Sequence, residues 1–374
     1  MPIGTSRNGL AAQATAMVDA GAIGVGLLLT TAAGERLELA VGHADRARRI
    51  PLTSGHRYQC GSQTKMLVAA TILQLVHEGL LGLDDPVARH LDDIDDLTGG
   101  AEITVAQLLM HTSGIGDYTA FLEGAGPPND FPWPPPRYED KELLVLARTH
   151  GVQARPGERW AYNNTGYILL GQIIARLTRR PAIEAMQARI LAPLGMRDSS
   201  FGPVARDTVD RMAAGYYRPS AGPMRDAIDT RGLIGGGWAS TAGDMVTTLD
   251  DMQRFMRALV TPDSALGVGL ADVTQRSVAV AHAETRLLFQ TRWGLGISNI
   301  AVLDRELWGH RGGTFGYKSI STVDPDSGIA MSIFMTFETA AERAAMTNAL
   351  LVQMLLLHAL AFQGALAARL KPGV

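Results

Sequence analysis

The sequence is poor in the features that would indicate disulfides or nucleic-acid binding. It has one cysteine, Cys60, in 374 residues, so no disulfide can form within the chain. Lys and Arg number 34 and Asp and Glu 37, which gives a formal net charge of -3 with no basic cluster. Because the positive field that attracts nucleic acid is missing from this composition, we expect no nucleic-acid partner.

Long apolar runs are also missing. The longest, residues 349–362, is interrupted by Gln353 and His358 and falls short of the roughly 20 residues that a membrane span requires. The N-terminal segment contains Arg7 and Asp19 and lacks an apolar core followed by a small-residue cleavage site. We therefore expect no membrane partner and no signal peptide, and a cytoplasmic location by default. The histidines show no metal-ligand spacing, so we expect no metal and no cofactor.

Apolar patterns and turn signals predict strands towards both ends of the chain and helices between them. A first helix is predicted at residues 9–20, and strands at 24–30 and 36–42 form a predicted hairpin. Helices joined by Pro- and Gly-rich loops occupy the region from residue 80 to about residue 260. Further strands and a final helix are predicted at residues 292–300, 306–312, 317–323, 329–336 and 340–370.

This order of elements predicts an α+β protein, a sandwich in which an antiparallel sheet is flanked by helices and joined to an all-helical subdomain. Residues 1–75 and 270–374 would form a discontinuous sheet domain, and residues 76–269 a mainly helical subdomain. We expect the active site between the two. A proline-rich segment at residues 125–137 is predicted to be a surface loop at the rim of a pocket.

The stretch Cys60-Gly61-Ser62-Gln63-Thr64-Lys65 carries the first chemical signal. The apolar run that follows predicts a buried helix with Ser62 in its first turn and Lys65 three residues later on the same face. A hydroxyl and an amine could then touch, and the start of a helix favours negative charge on Ser62. By itself Ser-x-x-Lys is a weak signal, because a serine N-cap followed by a surface lysine has the same pattern.

Two further motifs follow in the chain. Tyr162-Asn163-Asn164 precedes a predicted helix, and His310-Arg311-Gly312 is followed by Gly313 and Thr314. Ser-x-x-Lys, Tyr-x-Asn and His-x-Gly in this order resemble the penicillin-recognising serine hydrolases, in the branch of class C β-lactamases, DD-peptidases, D-aminopeptidases and related carboxylesterases. Residues 78–87, 108–114, 236–245 and 293–296 are similar to further segments of that branch. The resemblance implies the β-lactamase/transpeptidase-like fold.

The resemblance also implies a role for each motif residue. Ser62 would be the nucleophile, activated by Lys65 and Tyr162, both of which have a pKa of about 10 when free, so one pKa must shift for use at neutral pH. The sequence does not choose between these two bases. The oxyanion hole would consist of the backbone N–H groups of Ser62 and Gly313. The residues implied in substrate binding are Asn164, His310, Arg311, Gly312 and Thr314.

Plainer roles exist for several of these residues. Asn164 could be a helix N-cap, Tyr162 a half-buried aromatic residue and His310 a strand residue satisfied by its neighbours. Arg311 stands where a hydroxyl residue is common in the family, and it could bind a carboxylate or project into solvent. Two other serines in Gly-containing loops lie outside any Gly-x-Ser-x-Gly pattern, so neither is predicted as a nucleophile: Ser113 and Ser240.

The resemblance leads us to expect a hydrolase of small esters or amides, with D-amino-acid derivatives as candidate substrates, that works through an acyl-serine intermediate. Three alternatives remain open, because one fold serves many reactions. They are a transacylase that passes the acyl group to an amine or alcohol in a biosynthetic pathway, a DD-carboxypeptidase or class C-type β-lactamase, and a non-catalytic binding protein of the same fold. The oligomeric state is not predicted.

Overall fold

The computed structural model describes residues 3–100, 102–122, 137–217, 227–233, 237–280, 290–302 and 305–339. The predicted final helix at 340–370 and nearly all of the proline-rich segment at 125–137 lie outside these residues. The α-helices are α1 (Ile3–Asp19), α2 (Thr64–His77), α3 (Asp95–Thr98), α4 (Val105–Leu109), α5 (Asp140–His150), α6 (Thr165–Thr178), α7 (Ala182–Met186), α8 (Arg206–Asp210), α9 (Ser240–Gly243), α10 (Leu249–Ala258) and α11 (Leu270–Thr274).

The strands fall into a large sheet and two small ones. They are β1 (Gly24–Thr30), β2 (Arg36–Asp45), β3 (Ile50–Pro51), β4 (Tyr58–Gln59), β5 (Ser200–Phe201), β6 (Tyr216–Tyr217), β7 (Ile228–Asp229), β8 (Met245–Thr247), β9 (Val278–Ala279), β10 (Gln290–Trp293), β11 (Ser298–Val302), β12 (Arg305–Thr314), β13 (Tyr317–Val323), β14 (Ala330–Thr336) and β15 (Glu338–Thr339). The large sheet has the order β3-β2-β1-β14-β13-β12-β11-β10-β9, and the small sheets are β15-β6-β7 and β4-β8-β5.

The large sheet is antiparallel and joins early and late segments of the described chain. The predicted hairpin is present as β1 and β2, and β1 pairs on its other side with β14 from Gly24 to Thr30. Strand β1 is buried along its whole length because its side chains pack into apolar cores on both faces of the sheet, whereas β2 alternates exposed and buried residues over its first half. Segments far apart in the sequence thus complete one sheet.

Helices cover both faces of this sheet, as the side chains of β14 show. Ala330 and Phe334 belong to the core that contains α2, while Met331, Ile333 and Met335 belong to a second core beneath α1. Successive side chains of a strand point to opposite faces, so this alternation gives each face its own apolar layer. The antiparallel sheet flanked by helices, an α+β arrangement, confirms the predicted fold class.

Helix α2 is the central helix of the larger core. Its residues from Thr64 to Leu73 are buried without interruption, and it is apolar on nearly all sides apart from Lys65. A helix of this kind belongs inside a protein rather than on its surface. Lys65 is therefore an ionisable side chain in a buried, mostly apolar helix, and it has no exposed surface.

Two predictions of local structure were wrong in detail. Ser62 lies in a 3-10 turn, Gly61–Gln63, that leads into α2 and not within the α-helix itself. Residues 292–300 form two strands because Gly294 donates its N–H to Ile297 O at 2.8 Å and closes a turn between β10 and β11. None of the helices within the described ranges is long and apolar enough to cross a lipid bilayer.

Candidate active site

The turn that carries Ser62 packs directly against strand β12. Gly61 has a φ of 58°, in the left-handed region that favours glycine. A methyl group on Gly61 would lie 2.7 Å from the backbone N of Gly313, and one on Gly312 would lie 1.7 Å from Cys60 O. Because both contacts exclude a side chain, the two glycines let the turn approach the strand. The backbone of Gly313 thus lies beside the Ser62 turn, as an oxyanion hole made of these two residues requires.

The amine of Lys65 ends among three oxygen atoms. Nζ lies 3.2 Å from Ser62 Oγ, 2.8 Å from Asn164 Oδ1 and 2.7 Å from the backbone oxygen of Ala242. The last of these comes from α9, so α2, α6 and α9 each contribute to holding the amine. The predicted contact between hydroxyl and amine is present, and the surface-lysine alternative is wrong, since Lys65 has no exposed surface.

The surroundings of Lys65 favour its neutral form. The rings of Tyr162 and Tyr167 have their centroids 4.9 and 5.2 Å from Nζ. Burial lowers the pKa of Lys65 from 10.5 to about 7, and the carboxylate of Asp117 opposes part of that decrease. The amine beside Ser62 therefore gives up its proton more readily than a lysine in water does.

Asn164 occupies the N-cap position of α6, but its side chain does not cap the helix. Its Oδ1 accepts from Lys65, and its Nδ2 donates to Asp117 Oδ2 at 3.1 Å and to Thr119 Oγ1 at 3.0 Å. A capping side chain would instead accept from a backbone N–H in the first turn. The interpretation of Asn164 as an N-cap is therefore wrong, because its amide is hydrogen-bonded to Lys65, Asp117 and Thr119 instead.

Tyr162 lies in a group of aromatic side chains next to the amine. Its ring centroid is 4.4 Å from that of His111, 5.7 Å from Trp293 and 6.3 Å from His310. Nδ1 of His111 accepts the backbone N–H of Asn163 at 3.1 Å and so ties this segment to the loop after α4. The structure thus brings Tyr-x-Asn to Ser-x-x-Lys, and His310 comes within ring contact of both Tyr162 and Trp293.

The third motif divides between the two faces of β12. His310, Gly312 and Thr314 share the face towards the Ser62 turn, whereas Arg311, paired with Ile320, leaves the strand on the opposite face. Arg311 is half-buried rather than free in solvent. Burial lowers its pKa, and the nearness of Tyr162 opposes the decrease.

His310 is buried and neutral. Its Nδ1–H donates to the backbone oxygen of Arg311 at 2.5 Å, and its Nε2 is buried without a hydrogen-bond partner in the described part of the chain. Burial lowers the pKa of His310 to about 3, with the charge of nearby Lys65 acting in the same direction. Oγ1 of Thr314, on the same face, is likewise buried and without a partner among those residues.

Several residues of the site were not singled out from the sequence. Ala242 acts through its backbone oxygen, which every residue type possesses, so its side chain gives no signal. Asp117 and Thr119 follow the family-like segment 108–114 closely and could have been found by extending it. Within the described residues no three or more His, Cys, Asp or Glu side chains are grouped so as to hold a metal ion.

Comparison with known proteins agrees with this geometry. The family model described as Beta-lactamase matches residues 10–354, so the chain belongs to that family. It is a serine hydrolase of the superfamily that contains β-lactamases and penicillin-binding proteins, and the predicted recognition is confirmed.

Individual relatives are hydrolases of esters and amides. The chain is 33% identical over 291 residues to "Esterase EstB" of Burkholderia gladioli, with 71% of each protein covered. A crystal structure of D-amino acid amidase from Ochrobactrum anthropi SV3 superposes with a TM-score of 0.83 at 26% identity, covering 96% of this chain and 99% of that one. A D-stereospecific amidohydrolase from Streptomyces sp. gives a TM-score of 0.70 at 26% identity, with 91% and 98% covered.

Proposed function

We propose that this enzyme hydrolyses small esters or amides, with D-amino-acid derivatives among its substrates, through an acyl intermediate on Ser62. The observation that carries the proposal is the buried amine of Lys65, 3.2 Å from Ser62 Oγ. The substrate class is supported by the names of the relatives, an esterase and a D-amino acid amidase.

Lys65 is proposed as the base for acylation. A neutral amine has two N–H donors and one lone pair, while the oxygens of Asn164 and Ala242 can only accept. These two contacts are the shorter ones and use both donors. The lone pair then faces Ser62 Oγ, takes the hydroxyl proton and frees Oγ to attack the substrate carbonyl carbon. The N–H groups of Ser62 and Gly313 would stabilise the resulting oxyanion.

Tyr162 is proposed to carry the proton onward. Its ring centroid lies 4.9 Å from the Lys65 amine. In this proposal the hydroxyl receives the proton from the lysine ammonium and gives its own to the leaving oxygen or nitrogen. The bond between the acyl carbon and the leaving group breaks, and the acyl group stays on Ser62. A water molecule then attacks the acyl carbon and gives a proton to Lys65. The bond between the acyl carbon and Ser62 Oγ breaks, and Oγ takes that proton back from the Lys65 ammonium. The products are a carboxylic acid and free Ser62.

We also propose that the site lies between two lobes, residues 1–75 with 270–374 and residues 76–269. Ser62 and the His-x-Gly strand belong to the first lobe. Tyr162, Asn164 and Ala242 belong to the second. Since these groups meet at one amine, a substrate would enter where the lobes face each other.

Covalent labelling tests the proposal directly. A fluorophosphonate probe should add one label to the wild-type protein, as seen by intact mass, and none to Ser62→Ala. Ser113→Ala, which removes another buried serine, should keep the label. A wild-type protein that resists labelling while correctly folded would overturn the proposal and favour a non-catalytic binding protein.

A substrate panel then narrows the activity. It should contain p-nitrophenyl esters, D- and L-aminoacyl anilides and a chromogenic cephalosporin, each with and without added amines or alcohols. We expect turnover of esters and of D-aminoacyl anilides. Product formed only when an amine or alcohol is added would instead indicate a transacylase, and turnover confined to the cephalosporin a β-lactamase.

A further inference from the structure

Asp117, between α4 and the 3-10 turn Tyr118–Leu122, has a carboxylate that is surrounded by donors. Its Oδ2 accepts from the backbone N–H of Asn164 at 2.8 Å and from Asn164 Nδ2 at 3.1 Å. Its Oδ1 accepts from the backbone N–H of Thr119 at 2.9 Å and from Thr119 Oγ1 at 3.0 Å. All four partners are donors, so only a group with two accepting oxygens satisfies the position.

This arrangement decides which way the amide of Asn164 faces. Nδ2 has two N–H groups, and both are used, on Asp117 Oδ2 and on Thr119 Oγ1. If the amide turned over, its oxygen would meet the carboxylate of Asp117, and that contact would be repulsive. An N–H group would then point at the neutral amine of Lys65 and could occupy the lone pair that Ser62 Oγ needs. The observed orientation leaves Oδ1 for Lys65 at 2.8 Å.

The hydroxyl of Thr119 closes the arrangement. It donates to Asp117 and accepts from Asn164, and Thr119 is only 7% exposed, so little water reaches this hydroxyl. A charged group with a full set of hydrogen bonds in such a setting is held more firmly than an exposed one. Asp117, Thr119 and Asn164 therefore form one connected unit behind Lys65.

We propose that Asp117 is a positioning residue: with Thr119 it locks the Asn164 amide so that Oδ1, and not Nδ2, meets the amine of Lys65. The inference rests on the proposed role of Lys65 as the base. In this proposal the Asp117 carboxylate fixes the direction of the Lys65 lone pair, although it contacts neither Ser62 nor the substrate. The same negative charge supports the protonated form of Lys65.

Other titratable groups also face Lys65, and they differ from Asp117 in charge. His111 comes from the loop after α4, His310 from β12, Tyr162 from the segment before α6, and Tyr167 from α6 itself. Burial lowers the pKa of both His111 and His310, so these imidazoles are neutral near pH 7. Burial raises the pKa of Tyr167, so its hydroxyl stays protonated. Asp117 is thus the carboxylate whose loss should change the titration of Lys65.

The first experiment exchanges Asp117 for asparagine, which keeps the shape but presents an NH2 group to two donors in either orientation. We expect kcat/KM to fall about 100-fold, the usual effect of a small misplacement of a catalytic group. The acidic limb of the pH profile of kcat/KM should also move to lower pH, because the charge that favours protonated Lys65 is gone. An acidic limb that stays in place would show that the Asp117 carboxylate does not act on Lys65, and this outcome would overturn the proposal.

A matched pair of variants at Thr119 tests the hydrogen bonds that orient the Asn164 amide, without changing the charge of the site. Thr119→Ser keeps the hydroxyl and should retain near wild-type kcat/KM, whereas Thr119→Val should lose about tenfold, as expected for a missing hydrogen bond to a charged group. Equal activity of the two variants would contradict the proposal. Thermal unfolding of each variant shows whether it is folded under assay conditions.

A double-mutant cycle asks whether Asp117 acts through Asn164. In an Asn164→Ala background, the further exchange Asp117→Asn should cause little additional loss of kcat/KM on the pH plateau, since the amide to be oriented is gone. Losses that multiply would show that the two residues act independently and would overturn the inference. The wild-type labelling at Ser62 tests the proposed function separately, so a failure of either claim can be recognised.

Discussion

Replacing Lys65 by methionine is expected to abolish turnover and to change how the stability of the fold depends on pH. Lys65 has no exposed surface, and its pKa falls from an ordinary value of 10.5 to about 7 in the folded protein. Between about pH 7 and pH 10.5, Lys65 is protonated in the unfolded chain but not in the folded chain. The folded state is therefore destabilised progressively as the pH falls through this interval, and the loss levels off below about pH 7.

The size of the effect follows from the same interval. At about 1.4 kcal/mol per pH unit, the full interval corresponds to about 5 kcal/mol, and the part between pH 7 and 9.5 to about 3 kcal/mol. Methionine has a similar length and never takes a proton, so it removes this dependence. It also leaves the oxygens of Asn164 and Ala242 without a donor, at about 1 to 3 kcal/mol each. That loss is independent of the Lys65 titration.

Urea unfolding at several pH values measures the effect. Between pH 7 and 9.5 the unfolding free energy of wild type should rise relative to that of Lys65→Met by about 3 kcal/mol, with equal m-values. Lys141→Met, which exchanges an exposed lysine, controls for the loss of one positive charge. Parallel curves for wild type and Lys65→Met would mean that Lys65 stays protonated in the folded enzyme, and would refute its role as the base.

Three further predictions follow from the site. Since the pKa of Lys65 is about 7, kcat/KM should fall about tenfold per pH unit below that value and level off above it, and a flat profile between pH 5 and 8 would contradict this. Tyr162→Phe should slow amides and alkyl esters about 100-fold or more but p-nitrophenyl esters much less, because p-nitrophenolate leaves without a proton; equal loss on all substrates would argue against proton donation. Gly312→Ala should lower the unfolding free energy by about 3 kcal/mol or more, because its methyl group would lie 1.7 Å from a backbone oxygen, whereas Gly232→Ala, with nothing within 4 Å, should change it little. Chemical denaturation of both variants checks this, and similar losses would contradict it.

The fold could be predicted where the sequence pattern is local. The hairpin of β1 and β2 and the strands β13 and β14 were predicted within a few residues, because alternating apolar residues and turn signals act over short distances. The pairing of β1 with β14 could not be obtained from such patterns, since it joins segments about three hundred positions apart. This pairing depends on which strand edges are still unpaired once the other elements have packed.

The site divides in the same way. Ser62 and Lys65 are three residues apart in a helical segment and share a face, so the sequence alone determined that a hydroxyl and an amine could touch there. Tyr162, Asn164 and the His310 strand could be assigned to the same site only through the family resemblance. Ala242 gave no signal, because it contributes a backbone oxygen that every residue carries.

The proposal that Lys65 is the base depends on the tertiary structure. The sequence offered Lys65 and Tyr162 as equal candidates, since both hold their protons tightly in water. Complete burial of Lys65 lowers its pKa, and the fold supplies two fixed oxygens for its N–H groups. Residues of a chain determine which chemical groups are present, but desolvation and the direction of a lone pair depend on atoms that only folding brings together.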